Sequence, residues 1–414
     1  MLKRRQTRCS PETENGSVLL IVAASMVLLL AISAFAIDLA NFYLARAQAQ
    51  RAADAAALAG ATAFVNSGCT AGGCTAGGSQ ETLARQQAEA VAAQNDIAGQ
   101  AAIIQNSDVT FTYPTPQEPQ ITVTAGRSVP TFFAKIFGIK TVDVSAKATA
   151  EAYNPSGGSA PIGVACLKPF LVPNCDPTHT SPGNPQCATS GQGSFFDPTT
   201  GQVEHPGPYS QGGIIGMPWD LHTDAAPSQW YLVGFNGAPP SSGSALRNHI
   251  IECTSEILTC GTTLTTANGK MVGPVSQGIE ALINANGTGL NQGQDSIDTN
   301  VTPGSPFILT GGSNNPNVSL RGKTFTSYSE SPSVVTVPVY AGNALQSGGS
   351  DVQIVGYLQV FIEDVVHKGN DNHIDVVILN ASHCGGSAGT GGSTSSTVVG
   401  NAGSPIPIRL IRTN

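Results

Sequence analysis

Charged side chains are scarce in this sequence: Asp, Glu, Lys and Arg make up 11% of 414 residues, against roughly 25% in ordinary soluble domains. Aromatics are also few, at 6% with only two tryptophans. The 19 basic residues are outnumbered by 27 acidic ones, for a net charge of −8. After Lys3, Arg4, Arg5 and Arg8 no basic cluster recurs. A nucleic-acid partner is thereby excluded, because it needs phosphate-neutralising cations and stacking platforms. What fills the chain instead is Ser, Thr, Asn and Gln with 47 glycines and 27 prolines. That mix suits loop-rich β structure with an uncharged polar surface. The length allows one large core or two to three smaller ones, and no internal repeat is visible.

One stretch breaks the polar pattern. Val18 to Ile37, "VLLIVAASMVLLLAISAFAI", is 20 residues without a charge. As a helix it would be about 30 Å long, the thickness of one hydrocarbon core. The basic residues ahead of it predict a cytoplasmic N-terminus in the inner membrane, with the rest of the chain outside. The rival is a cleaved signal peptide, for which "AFA" at Ala34 to Ala36 is a small-x-small cut site. The run exceeds the usual apolar region of a signal peptide, about 7–15 residues, and helical patterning continues across the putative cut. A prepilin-type cut after Gly16 lacks its expected Glu, since Ile21 stands there.

Cys9 precedes the run and eight cysteines follow it, an even number that fits an oxidising compartment. Cys69 with Cys74 and Cys253 with Cys260 are the expected local disulfides, because short loops close readily. Cys166, Cys175, Cys187 and Cys384 cannot be paired from the sequence.

From Asp38 to about Val65 nothing breaks a helix, and good helix formers dominate. Ala45, Ala49, Ala52, Ala56, Ala59 and Ala63 recur at heptad spacing, a seam of small residues along which another helix or a sheet can approach closely. Chance in an alanine-rich run gives the same spacing. Arg46, Gln50 and Asp54 lie on a neighbouring line and predict one solvated face. Asp38 itself either marks the end of the span or meets a partner's charge among membrane helices.

The whole segment from Glu14 to Ala61 resembles the N-terminal signature of TadG-like proteins of Tad (Flp) pilus assembly. The residues that carry the likeness are Gly16 before the apolar run, Asp38 after it, then Tyr43, Arg46 and the "AADAAALA" block at Ala52 to Ala59. "ITVTAGRSVPTFFAKIFGIKTVDVSAKATAEA", Ile121 to Ala152, also looks like this family, whose members place alternating strands around a P-x-F-F turn. The resemblance implies a membrane-anchored, non-enzymatic component whose partners are the membrane and other pilus-assembly proteins. It implies no cofactor and no small-molecule substrate.

The fold class expected is α+β: a transmembrane helix continuing into an alanine-rich stem, followed by β-rich extracytoplasmic modules. In residue numbers the expectation is a cytoplasmic 1–17, a span 18–37, a stem 38–65, a small α+β unit 66–153, a linker 154–161, a β-rich domain 162–383 and a mobile tail 384–414. Within the small unit Ser79 is the expected cap of a helix. Strands are expected at Val109 to Tyr113, Ile121 to Ala125 and Thr141 to Ala150, with a short helix at Pro130 to Phe137. Further strands are expected at Trp230 to Phe235, Val334 to Tyr340, Val352 to Ile362 and Ile374 to Leu379, with a helix at Val275 to Asn284.

Several fragments imitate catalytic or metal motifs, and each fails a chemical test. "GGSAG" at Gly385 to Gly389 has no acid or His after Ser387, so it lacks the partners of a nucleophile elbow. "GKT" at Gly322 to Thr324 has Asn317 where a P-loop needs its first Gly. "DVSAK", Asp143 to Lys147, places an ammonium where a D-x-S-x-S metal site has a hydroxyl. "EDVVHKGNDNHID" gathers Glu363, Asp364, His367, Asp371 and His373, which fits a polar hairpin turn better than a cation site.

Overall fold

The computed structural model describes residues 15–154, 162–176, 178–179, 193–197, 200–221, 231–232, 242–253, 256–259, 261–267, 271–342, 351–368, 371–383, 398–400 and 404–411. Its first element is one unbroken helix, α1 (Asn15–Asn66), of 52 residues. Span and stem are therefore one continuous rod of about 78 Å at 1.5 Å per residue. Nothing at Asp38 interrupts it. The helix stops because Gly68 adopts a left-handed φ of 68°, a conformation that costs glycine little.

The second half of α1 is the spine of a lower unit. That unit adds α2 (Ser79–Ala92) and the strands β1 (Val109–Thr112), β2 (Gln120–Pro130) and β3 (Thr141–Ala152). Helix α2 begins differently from expectation: Gly78 is the N-cap, Ser79 is already helical, and no side chain caps the turn. Gln80 ties the turn down instead, its Nε2 donating to the Thr75 carbonyl at 2.6 Å.

The upper unit holds β4 (Phe170–Pro173), β5 (Pro218–Leu221), β6 (Tyr231–Leu232), α3 (Gly243–Ile251), α4 (Val272–Leu282), β7 (Val334–Tyr340), β8 (Asp351–Lys368) and β9 (Asp371–His383). Its main sheet runs in the order β5-β9-β8-β7-β4-β6. Only the β7–β4 pair is parallel among these neighbours. Leu246 and Ile250 of α3 and Val275 and Ile279 of α4 join the apolar core of this sheet. Val335, Val337 and Val339 of β7 are buried along with the residues between them, which is why this strand reads as a near-continuous apolar run rather than an alternating one. Residues 230 and 233–235 of the strand expected around Tyr231 lie outside the described residues.

The end of the chain departs from the expected mobile tail. A last strand, β10 (Ile408–Ile411), pairs antiparallel with β3 and makes the lower sheet four-stranded in the order β10-β3-β2-β1. Arg409 fastens it, with Nε 2.5 Å from Glu151 Oε1 and its guanidinium over the Tyr153 ring. Residues 398–400 also form a strand, parallel to Ile162–Val164. The lower unit is thus built from both ends of the chain, and 66–153 is only part of it. The linker expected at 154–161 lies outside the described residues apart from Asn154.

The cysteines supply a second correction. Cys69 and Cys74 form a disulfide, but Cys253 is bonded to Cys166, 87 residues away, not to Cys260, which lies outside the described residues. The cause is strand pairing: Gly163 and Val164 lie antiparallel to Leu258 and Thr259. That register brings the Cys166 and Cys253 Cα atoms to 4.4 Å. Proximity along the chain was the wrong guide because a tertiary ladder brings Cys166 beside Cys253. Cys175 is disulfide-bonded as well.

Buried amides join the two units. Asn380 of β9 donates to the Val65 carbonyl at the end of α1 (2.8 Å) and to Gln359 Oε1 (3.0 Å). Asn154 donates to the Thr70 and Ala381 carbonyls at 3.0 and 3.1 Å. Each unpaired group here would carry a desolvation cost of about 1–3 kcal/mol, so the network specifies one docking of stem on head.

Candidate membrane-boundary site

The apolar half of α1 touches almost nothing. Leu19, Leu20, Val27, Leu30 and Phe35 are all exposed, whereas burial of one helix face sets in at Asp38 and continues from Ala45. By length and composition the 18 to 37 segment is apolar enough to cross a bilayer.

Of the alanine seam, Ala45, Ala49, Ala52, Ala56 and Ala63 are buried and Ala59 is half-buried. Sequence spacing missed Ala53, Ala57, Gly60 and Ala61, which are buried too. A heptad seam serves one partner, but α1 has two, the β2–β3 sheet and α2, and needs a wider small-residue face. Small residues also line the facing surfaces of α2 and β3, with Ala84, Ala88 and Ala92 on α2 and Ala146, Ala148 and Ala150 on β3, while β2 contributes the larger Ile121 and Val123. Aromatic rings close the top of this core, where the Phe64 ring meets Phe111 edge-on at 5.9 Å, and Phe42 packs against it lower on α1. The seam is therefore filled by the chain's own head. Arg46 and Gln50 sit at its margin, donating to the Ser145 and Lys147 carbonyls at 3.4 Å.

Asp38 is almost fully buried, at 3% exposure. Its carboxylate accepts the backbone N–H groups of Phe132 (2.7 Å to Oδ1), Phe133 (3.1 Å to Oδ2) and Ala134 (2.7 Å to Oδ2). These belong to the turn between β2 and β3, whose 3-10 segment is Ala134–Phe137. Desolvation pushes the pKa of the acid up, but the Ala134, Phe132 and Phe133 N–H groups, together with the charge of Lys135, outweigh it and leave it below the ordinary value. The partner of Asp38 is thus an intramolecular cradle of amides. Neither sequence reading of the residue anticipated this. The signal available was the "PTFF" turn, whose leading N–H groups need an acceptor.

The fragments that imitate motifs are placed as follows. Gly322 turns the chain at a φ of 67° and Thr324 opens a short strand, so no helix follows the "GKT". Asp143 lies in β3 and accepts from the Ser128 hydroxyl. Glu363 and Asp364 lie in β8 and His373 in β9, on either side of the hairpin turn. Asp364 accepts the Gly289 N–H at 2.8 Å. The "GGSAG" residues and the side chains of His367 and Asp371 lie outside the described residues.

Two clusters hold metal-ligand types: Asp176 with His179 and His205, and Asp220 with His373 and Asp375. In the first, the His179 and His205 rings stack 3.5 Å apart and only 3° from parallel. An imidazole binds a metal near its own ring plane at about 2.0–2.1 Å, and two parallel planes that far apart share no such point. Asp176 is instead the acceptor of a tight turn, taking the Thr178 N–H at 2.9 Å and lying 2.6 Å from His179 Nδ1. In the second cluster His373 Nε2 lies 3.2 Å from Asp375 Oδ1, both half-buried on β9. A cleft of about 400 Å3 where stem meets head is lined by residues such as Gly68, Gln80, Pro206 and Pro303, with no titratable side chain.

A long helix, exposed and apolar over its first half and buried in its own α+β head over its second, defines a stem-and-head protein built around one candidate membrane helix among the described residues. Residues 16–63 match the family model described as "Putative Flp pilus-assembly TadE/G-like", so over that stretch the chain carries a Tad domain. No curated protein and no solved structure matches the chain.

Proposed function

We propose that the protein is a single-pass, non-enzymatic component of Tad/Flp-type pilus assembly or its associated secretion, with its N-terminus cytoplasmic and its head outside the cytoplasm. The observation that carries this reading is the extent of the Tad match: residues 16–63 take in both the exposed apolar half of α1 and the buried alanine half. The work assigned to such a protein is mechanical and recognitional. Since the seam is occupied by β2, β3 and α2, contacts with other assembly proteins fall to the outer faces of α1 and to the uncharged polar surface of the head. No cofactor enters this role.

The test is to extract the full chain from its native membrane in mild detergent and measure its intact mass and its co-purifying proteins. A mass that retains the apolar run, together with pilus-assembly proteins in the eluate, is the expected result. A mass beginning at Ile37 makes the protein a secreted binding protein and overturns the anchor.

A further inference from the structure

The turn between β2 and β3 carries a surface that the stem-and-head role leaves unexplained. Phe132, Phe133, Ile136, Phe137 and Ile139 are all exposed, Phe137 at 84% and Ile136 at 76%. Clustered apolar side chains of this size at one tip are unusual on a surface that faces water. Lys135 and Lys140 are exposed beside them, and residues 131–140 contain no acid. The backbone of the tip is nearly self-sufficient in hydrogen bonds. The N–H groups of Thr131, Ile136, Gly138 and Ile139 donate to the carbonyls of Lys140, Phe133, Lys135 and Ala134. Those of Phe132, Phe133 and Ala134 donate to Asp38.

We propose that the 131–140 turn is a second membrane contact, with its aromatic and aliphatic side chains seated in the outer-leaflet interface and Lys135 and Lys140 against anionic lipid headgroups. The proposal rests on the reading of residues 18–37 as a membrane anchor. Continuity with that anchor selects a bilayer over a protein as occupant. Asp38 closes the apolar run, and its carboxylate holds the turn at that level of the helix, so the exposed apolar surfaces of helix and turn meet at one height. Aromatic rings and lysines are the residue types that favour the interfacial layer. Satisfied backbone groups are what a segment entering a low-dielectric layer requires. With two points of contact, helix and turn, the bilayer sets the tilt and rotation of the stem, and the β2–β3 sheet carries that orientation to the head.

The experiment uses the full chain in vesicles of phosphatidylcholine and phosphatidylglycerol, with the photo-crosslinker p-benzoyl-phenylalanine placed singly at Phe137, Leu29 or Val318. All three side chains are exposed, so folding is not at stake. After irradiation, lipid adducts are read by mass spectrometry. Adducts at positions 29 and 137, several-fold above those at 318, are expected. Adducts at 29 without adducts at 137 overturn the second contact while leaving the anchor in place. Adducts at neither position overturn the anchor itself. Crosslinks from 137 to protein rather than lipid assign the tip to a partner and also overturn the proposal. K135E/K140E is expected to lower the yield at 137 in the anionic vesicles but not in pure phosphatidylcholine; equal loss in both removes the headgroup role.

Discussion

Gly60 is where the close packing of the stem is most sharply tested. A Cβ built there lies 2.3 Å from Ile121 Cδ1 on β2, 3.0 Å from the Ala84 carbonyl oxygen of α2 and 3.5 Å from Ala88 Cβ. Helix propensity alone favours Gly60→Ala by about 1 kcal/mol. Packing opposes it. Ile121 is fully buried, so its methyl must leave its rotamer, and adding a carbon to a filled core costs about 1–3 kcal/mol. The Ala84 oxygen is backbone and yields only if α2 shifts. The balance for Gly60→Ala is a loss of about 0–2 kcal/mol, the difference of those two figures. Gly60→Leu adds three more carbons with no space for them, and its loss is at least about 3 kcal/mol. For a chain of 414 residues, an unfolding entropy of about 2.1 cal/mol/K per residue converts 1 kcal/mol to about 1 °C, so the leucine variant melts at least ~3 °C below the parent. The assay is thermal unfolding of the full chain in detergent, followed by far-UV circular dichroism. Ala47→Leu, on the exposed face of the same helix, is the control and stays within about 0.5 kcal/mol of the parent. If Gly60→Leu melts with the parent, α1 does not approach α2 and β2 as described.

His383 gives the head a pH dependence. Burial lowers its pKa from 6.5 to about 4, with Asp197 acting in the opposite direction. Between those values the unfolded chain binds a proton that the folded one refuses. Stability is therefore full above 6.5 and falls as the pH drops, by about 2 kcal/mol between pH 7 and pH 5; His383→Gln flattens this part of the melting-temperature profile, and an unchanged slope refutes the assignment. The Cys166–Cys253 bridge closes a loop of 87 residues, for which chain entropy gives about 4–5 kcal/mol as an upper value and about 2–4 as the usual yield. The C166S/C253S variant should lose stability on that scale, and a non-reducing peptide map should recover the 166–253 pair; recovery of 253–260 instead overturns the head's topology. At Asp38 the depressed pKa places the acid's contribution above its ordinary value of 3.8, to be lost only as the pH falls through the still lower folded value. Asp38→Asn, which offers one acceptor and a donor where the carboxylate offers two acceptors, is expected to speed hydrogen exchange at Phe132 to Ala134 near neutral pH. Unchanged exchange there means the amide cradle does not hold the turn.

What could be read in the one-dimensional chain was whatever is encoded by local spacing. The apolar run and the alanine run appear as one helix because nothing between Val18 and Asn66 disfavours helix strongly enough to break it. The strands at Val109 to Tyr113 and Ile121 to Ala125 were legible for the same reason, since Thr alternates there with apolar residues at period two. So was the 69–74 disulfide, whose closure is local. Each of these depends on residues within a few positions of one another.

Tertiary structure decided everything that depends on which distant segments meet. The Cys253 partner follows from a strand register, not from distance along the chain. Ile408 to Ile411 become an edge strand of the lower sheet because β3 leaves an open row of N–H and C=O groups, and a four-residue segment in a polar tail carries no periodic signal for that. The width of the buried face on α1 was set by two simultaneous partners, so a single heptad seam captured only part of it. Asp38 shows the division most clearly. Its position after an apolar run was plain in the sequence, but its three amide partners lie about 95 residues further on. Sequence alone determined the helix and its two chemical halves; only the fold determined what each half faces, because burial is a property of pairs of surfaces and no single stretch contains both.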